Sequence, residues 1–250
     1  MIRPADAAAT SPFALLPGEV HVWRASLQRE ARDVATLDAL LSRDERARAD
    51  RFHFPRHRDL FIAGRGLLRQ LLGRYLGLPP QSLRFAYGPQ GKPALRPEGG
   101  GPLHFSLSHS GGQALYAVAR DAPVGIDLER IRPGLDFDGI ARRFLPAEAI
   151  RALAEAPASR KAAVFFASWT RMESLAKAAG TGLGDLPGAG EPAGGPTAAG
   201  DPVGTGLSPR AAGRWFLHDL DAGADYRAAL AARLERPRIV LRPLAPAPTG

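Results

Sequence analysis

The chain has 250 residues, a formal net charge of +8, 45% hydrophobic residues and no cysteine. That length and apolar content can fill the core of one large domain or two small ones, and the lack of cysteine excludes disulfides, thiolate nucleophiles and thiolate metal sites, leaving oxygen or imidazole as the only ligands for a metal. The basic excess is carried mainly by arginine and points to an anionic partner: nucleic acid, a phosphorylated small molecule or an acidic protein.

Residues 1–17 lack the charged and apolar segments of a secretory leader and are expected to be poorly ordered. No stretch approaches the roughly 18 apolar residues of a membrane span, so the expected location is the cytoplasm. Residues 19–25 alternate as a strand, and 34–41 read as a helix. Ser42 and Glu45 have the spacing of a capping box and open a second helix through Arg46, Arg48, Arg51 and Phe52. A longer amphipathic helix over 56–76 carries Leu60, Phe61, Leu67, Leu68, Leu71 and Leu72 and stops at Gly77. The arginines of these helices, Arg48, Arg51, Arg56, Arg58 and Arg65, are expected on a solvated face.

Residues 85–95 read as two short strands joined by a Gly/Pro turn that presents Lys92 outward. A strand over 103–110 ends in Ser108-His109-Ser110 before Gly111-Gly112, a bend whose hydroxyls and N–H groups suit a phosphate. Adjacent Ser and His do not make a nucleophile pair, because that geometry is spatial, and His109 by itself is equally a structural side chain. A further strand covers 113–119.

The next strand, Val124-Gly125-Ile126-Asp127-Leu128-Glu129, is the one the rest is organised around. Alternation puts Asp127 and Glu129 on one face, about 6 to 7 Å apart, with Ile126 and Leu128 on the other. Two such carboxylates repel unless a cation lies between them, and a hard divalent ion such as Mg2+ accepts one or two carboxylates together with substrate phosphate. The competing reading is a half-buried strand with a solvated acidic face. Helices over 137–144 and 146–154 follow. A long helix over 159–179, capped by Ser159 and ended at Gly180, sets Phe165, Trp169, Met172 and Ala176 in a core stripe. Beside that stripe lie Glu173 and Lys177, one turn apart, a third carboxylate and an amine. Half of residues 180–209 are Gly or Pro, which predicts a mobile loop. Residues 214–220 and 238–242 read as strands, 226–233 as strand or helix, and 243–250 as a frayed tail.

Four segments in order, Gly91-Lys92-Pro93, Phe105 to Ser110, Val124 to Glu129 and Trp169 to Lys177, make the chain resemble the 4'-phosphopantetheinyl transferases. The resemblance covers about residues 19–242 and is to the larger monomeric type that serves peptide, polyketide and fatty acid synthases. It implies an α/β (α+β) fold in which two similar halves, 18–120 and 121–242, are related by a pseudo-twofold. Each half has a small, mostly antiparallel sheet and a long helix, and coenzyme A binds between them. It further implies transfer of the 4'-phosphopantetheine arm to a serine of an apo acyl or peptidyl carrier protein. Mg2+ or Mn2+ assists, adenosine 3',5'-bisphosphate is released, and neither nucleic acid nor membrane takes part.

Carried over residue by residue, the resemblance makes Asp127, Glu129 and Glu173 the metal ligands and Glu173 and Lys177 the catalytic pair. Lys92, Ser108 and His109 would touch coenzyme A phosphates, with Arg48 near the phosphoadenosine end. Two positions depart from the family pattern: Met172 stands where Lys is common, and the basic residue of the long first helix is missing at Leu60, leaving Arg58 or Arg56 nearest. Three rival readings are a decayed transferase kept as a binding protein, a phosphohydrolase using the same carboxylates, and a basic nucleic-acid-binding module. Against the last, Phe105, Phe165 and Trp169 sit in core-like patterns and are not interleaved with basic residues.

Overall fold

The computed structural model describes residues 11–96, 103–120, 122–182, 202–203 and 214–244. The first half runs β1 (Glu19–Ser26), α1 (Ala31–Asp38), α2 (Arg43–Ala49), α3 (Pro55–Leu76), a small hairpin of β2 (Phe85–Tyr87) and β3 (Pro93–Leu95), then β4 (His104–Ser110) and β5 (Gln113–Ala119). The second half repeats this plan with β6 (Val124–Arg130), α4 (Phe137–Phe144), α5 (Ala147–Glu155), α6 (Ala158–Ala179), β7 (Pro202–Val203), β8 (Trp215–Leu220) and β9 (Tyr226–Ala232). In each half the final strand lies between the first strand and the one before it, giving the orders β1-β5-β4 and β6-β9-β8 with antiparallel neighbours. The two similar halves anticipated from the sequence are therefore present. A last strand, β10 (Arg238–Pro243), leaves the second half and pairs parallel with β1.

Period-two alternation decides how these parts stack. Val20, Val22, Leu115, Ala117 and Ala119 of the first sheet pack on Val124, Ile126, Leu128 and Leu230 of the second. The opposite face of the first sheet, with Trp23, Ala25, Tyr116 and Val118, receives Ile62, Leu67, Leu68 and Leu71 of α3. On the far side, Leu175 and Ala178 of α6 meet Trp215 and Ala231. The result is four layers, helix, sheet, sheet, helix, with the two long helices outermost. Each long helix has 22 residues and stops at a glycine in the left-handed region, Gly77 (φ 66°) and Gly180 (φ 74°), where a side chain would be strained.

Gly125 sets the distance between β6 and α6. A Cβ at this position would stand 2.0 Å from the carbonyl oxygen of Ser174 and 2.3 Å from the amide nitrogen of Ala178, both helix backbone. Backbone cannot swing aside as a flexible side chain can, so Gly125→Ala should cost about 3 kcal/mol, at the upper end of overpacking effects. Urea denaturation of the variant measures it, and a change under about 1 kcal/mol would mean that the helix slides freely over the strand.

Several segments differ from the sequence expectation. Phe13 stacks on Trp23 with ring centroids 5.2 Å apart and Leu15 is buried, so residues 11–17 are held by apolar contact. At the other end Leu244 is buried, and its N–H donates to the carbonyl of Arg24 at 2.7 Å. The cap of α6 is Pro157, not Ser159, because proline's fixed φ already suits helix entry. Pro202 and Val203, inside the stretch expected to be a loop, pair with Phe216 and Trp215. The expectations for 1–10, 183–201, 204–209 and 245–250 lie outside the described residues. Among the described residues no helix is long and apolar enough to cross a membrane.

Candidate active site

Where β4 and β6 run side by side, serine hydroxyls replace the usual ladder. Ser106 Oγ accepts from the N–H of Ile126 at 3.1 Å, and Ser110 Oγ accepts from the N–H of Arg130 at 3.1 Å. The alternate positions 106, 108 and 110 share one face of β4, and the remaining hydroxyls turn to the carboxylates: Ser108 Oγ donates to Asp127 Oδ1 at 2.7 Å and Ser110 Oγ to Glu129 Oε2 at 2.8 Å. The acids thus lie at the junction of the two halves. Sequence reading singled out Ser108 and took Ser110 only as part of a phosphate-binding bend; it gave Ser106 no role, although the spacing of the three on an alternating strand was the available signal.

The junction is the floor of a cleft of about 710 Å3. Its walls include Asp127, Glu129, Glu173, Lys177, Lys92, Ser108, His109 and Arg48, so all but one of the residues singled out by the resemblance line a single cavity. The exception is Arg58, whose guanidinium lies 3.6 Å from Asp50 and 3.8 Å from Asp59 on the helix surface. Arg65 lines the cleft, against the expectation of a solvated face: it is buried, because α3 is apolar on both sides of it.

Lys177 does not pair with its helix neighbour Glu173. Its Nζ reaches Asp127 Oδ1 at 2.6 Å and donates to Ser108 Oγ at 3.1 Å. Asp127 is only 3% exposed, and its second oxygen, Oδ2, has no hydrogen-bond partner. Burial, opposed by the bond from Ser110 and aided by the charge of Asp127, raises the pKa of Glu129. Glu173 is raised as well, first by burial, with Lys177 opposing and Asp127 and Glu129 adding to it. Among the described residues no group of three or more His, Asp or Glu side chains is preassembled to hold a metal ion. The Lys177 ammonium lies on Asp127 Oδ1, one of the oxygens a cation would use.

Lys92 turns inward, not outward as its turn suggested. Gly91 (φ 74°) closes the hairpin, and Lys92 Nζ donates to the main-chain carbonyls of Val124, at 3.2 Å, and Lys177. It therefore ties the first half to the start of β6 and the last turn of α6. Burial, with the neighbouring Lys177 charge, lowers its pKa to about 8. His109 is lowered by desolvation and then by Lys177, which leaves the ring largely neutral at pH 7. Met172 fills a gap between the apolar cluster of α4 to α6 and that around Trp215, consistent with the core stripe.

Comparison with known proteins bears on both halves. The family profile described as the 4'-phosphopantetheinyl transferase superfamily matches residues 123–231, and the one described as 4'-phosphopantetheinyl transferase, N-terminal, matches residues 23–120. The chain is 45% identical over 175 residues to 4'-phosphopantetheinyl transferase HetI of Nostoc sp., covering 69% of this chain and 73% of the relative. It is 36% identical over 152 residues to 4'-phosphopantetheinyl transferase psf-1 of Bacillus pumilus, covering 61% and 63%. A 4'-phosphopantetheinyl transferase of Bacillus subtilis is 32% identical over 147 residues, covering 58% and 62%. With both halves matched and a relative so similar over most of its own length, the chain belongs to the 4'-phosphopantetheinyl transferases, and is an enzyme of their larger, two-halved type.

Proposed function

We propose that this enzyme transfers the 4'-phosphopantetheine arm of coenzyme A to a serine of an apo acyl or peptidyl carrier protein and releases adenosine 3',5'-bisphosphate. The observation that carries the reading is the clustering of Lys177, Asp127 and Ser108, with Glu129 and Glu173, on the floor of the cleft between the halves. Phosphoryl transfer asks mainly for positioning and for positive charge where negative charge develops. The residues here suit both demands.

Asp127, Glu129 and Glu173 would hold Mg2+. The fit is supported by the unpartnered, buried Oδ2 of Asp127 and by two neighbouring carboxyls whose raised pKa values register burial and mutual repulsion. Bound there, the ion would neutralise charge on the pyrophosphate.

In the proposed step the carrier serine Oγ bonds to the β-phosphorus, and the bond from that phosphorus to the bridging oxygen breaks. Glu173 accepts the serine proton, a role suited to a carboxylate whose pKa is raised toward the working pH. Lys177 neutralises charge on the departing bisphosphate. Lys92, Ser108 and His109 line the cleft beside these groups as phosphate contacts, and Arg48 lies toward the phosphoadenosine. The nucleophile comes from the carrier, which is why the chain needs no nucleophile of its own. An enzyme with a net charge of +8 would also steer toward an acidic carrier.

The test is intact-mass spectrometry of an apo carrier protein incubated with enzyme, coenzyme A and Mg2+. A gain of one phosphopantetheine, abolished by a chelator, is the expected result. No gain on several unrelated carriers, despite measurable coenzyme A binding, would overturn the transfer reading.

A further inference from the structure

The bend that closes the hairpin of β4 and β5 was read from the sequence as a phosphate cradle, and the proposed chemistry gives its last serine no task. Ser110 and Gln113 pair across it, and Gly111 (φ 57°) and Gly112 (φ 83°) between them both lie in the left-handed region, as a tight two-residue hairpin turn requires. The bend is fastened from two sides. Tyr226 Oη of β9 donates to the carbonyl of Gly111 at 3.2 Å, and the N–H of Leu27 donates to the carbonyl of Gly112 at 2.7 Å. A Cβ at position 111 would stand 2.8 Å from Tyr226 Oη and 2.7 Å from Arg130 Cδ, so the turn sits flush on the second half.

This seat fixes where the Ser110 hydroxyl acts. Its Oγ accepts from the N–H of Arg130 at 3.1 Å and donates to Glu129 Oε2 at 2.8 Å. A hydroxyl has one proton to give, and here it goes to the carboxylate. Arg132 is the other group beside Glu129: its Nη2 lies 3.6 Å from the same Oε2, but its side chain is 59% exposed, and an ion pair so open to water holds little. Both contacts fall on Oε2, which leaves Oε1 for an ion. A glutamate side chain is long and rotates freely unless held, so an ion that had to order it would bind less tightly.

We propose that Ser110 is a positioning residue: it holds Glu129 in the conformation that binds the divalent ion, and so sets the ion affinity of the site without contributing to the binding of coenzyme A. The inference rests on the reading above that Asp127, Glu129 and Glu173 hold that ion. Ser106 supplies the internal comparison. It lies on the same face of β4, and its Oγ accepts from the N–H of Ile126 at 3.1 Å, whereas the hydroxyl bond to Glu129 comes from Ser110. Removing the Ser106 hydroxyl therefore loosens β4 from β6 and leaves the hold on Glu129 in place.

The experiment is titration of the full-length enzyme with Mn2+ in the presence of coenzyme A, read from the paramagnetic resonance of the free ion, for the wild type, Ser110→Ala, Ser110→Thr and Ser106→Ala. Ser110→Ala should weaken Mn2+ binding about 10- to 100-fold, the scale of losing the outer partner of a metal ligand. Its affinity for coenzyme A in a chelator, measured by calorimetry, should change less than about 3-fold. Ser110→Thr, which keeps the hydroxyl, and Ser106→Ala should both bind Mn2+ within about 3-fold of the wild type. An unchanged Mn2+ affinity in Ser110→Ala overturns the assignment and leaves Ser110 a hairpin residue. So does a fall that is matched by Ser110→Thr, by Ser106→Ala or by coenzyme A in the chelator. If Ser110→Ala fails to fold, as thermal melts would reveal, Ser110→Cys, similar in size but a weak donor, decides in its place. A wild-type enzyme that took up no Mn2+ would instead overturn the ion reading, and this inference with it.

Discussion

Replacing Glu173 by Gln should slow carrier modification on the order of a thousandfold, the scale seen when one preorganised electrostatic group is removed, and should leave the fold at least as stable. The two effects separate because of where the carboxyl lies. Burial raises its pKa, and although Lys177 opposes this, Asp127 and Glu129 add to it. A carboxyl whose folded-state pKa lies above the unfolded value binds more protons in the folded state, so its ionisation subtracts stability as pH rises past about 4.5. Gln keeps the shape and removes that penalty. Rate measurements on apo carrier, paired with thermal melts at pH 5 and pH 7 in metal-free buffer, check both halves of the expectation. A variant that lost stability along with activity would show that the carboxylate is structural.

The largest loss of stability is expected at Glu45. Its Oε2 accepts from Arg69 Nε at 2.6 Å and from both the N–H and the hydroxyl of Ser42 at 3.1 Å, and Glu45 and Arg69 are each 1% exposed. Arg69 Nη1 in turn donates to the carbonyls of Pro80, at 2.9 Å, and Leu83, at 3.1 Å, so the guanidinium cannot move to water without abandoning the turn after α3. Glu45→Ala leaves that charge, and that of Arg65, buried without its paired carboxylate, with only the exposed Asp44 nearby. Breaking a buried pair in this way costs about 3 to 5 kcal/mol, and loss of the α2 cap adds roughly 1 kcal/mol. Glu45→Gln, which can still accept a hydrogen bond, should lose less. Urea denaturation gives both values, and a loss below about 1 kcal/mol for Glu45→Ala would mean that the arginines find other partners.

Much of this was legible in the residues. The alternation of 124–129 placed Asp127 and Glu129 on one face, the Ser42 and Glu45 spacing marked a helix start, and Gly77 and Gly180 marked two helix ends. Such features depend on neighbours within a turn or two, where geometry is local. What escaped depends on partners far along the chain. Arg65 was expected on a solvated face because the carboxylate that permits its burial, Glu45, lies in a different helix; the clue was that over residues 60–73 α3 carries apolar side chains or glycine everywhere except Arg65, Arg69 and Gln70. Lys92 was expected to point outward because its turn is polar, whereas its acceptors, the carbonyls of Val124 and Lys177, belong to the other half. The passage of β10 into the first sheet had no signature in its own residues, since an edge strand reads alike whichever sheet it joins.

That passage orders events during synthesis. Arg238 of β10 binds Glu19 of β1 at 2.7 Å across 219 residues of sequence. A growing chain can complete β1, β4 and β5 early, but the outer rim of β1 stays unpaired until the second half has been made. Contacts so distant in sequence form late and slow folding, and an open strand rim invites pairing with other chains. The nascent first half is thus the stage most exposed to aggregation, and the final strand both ends that exposure and stitches the halves into one cooperative unit around the cleft.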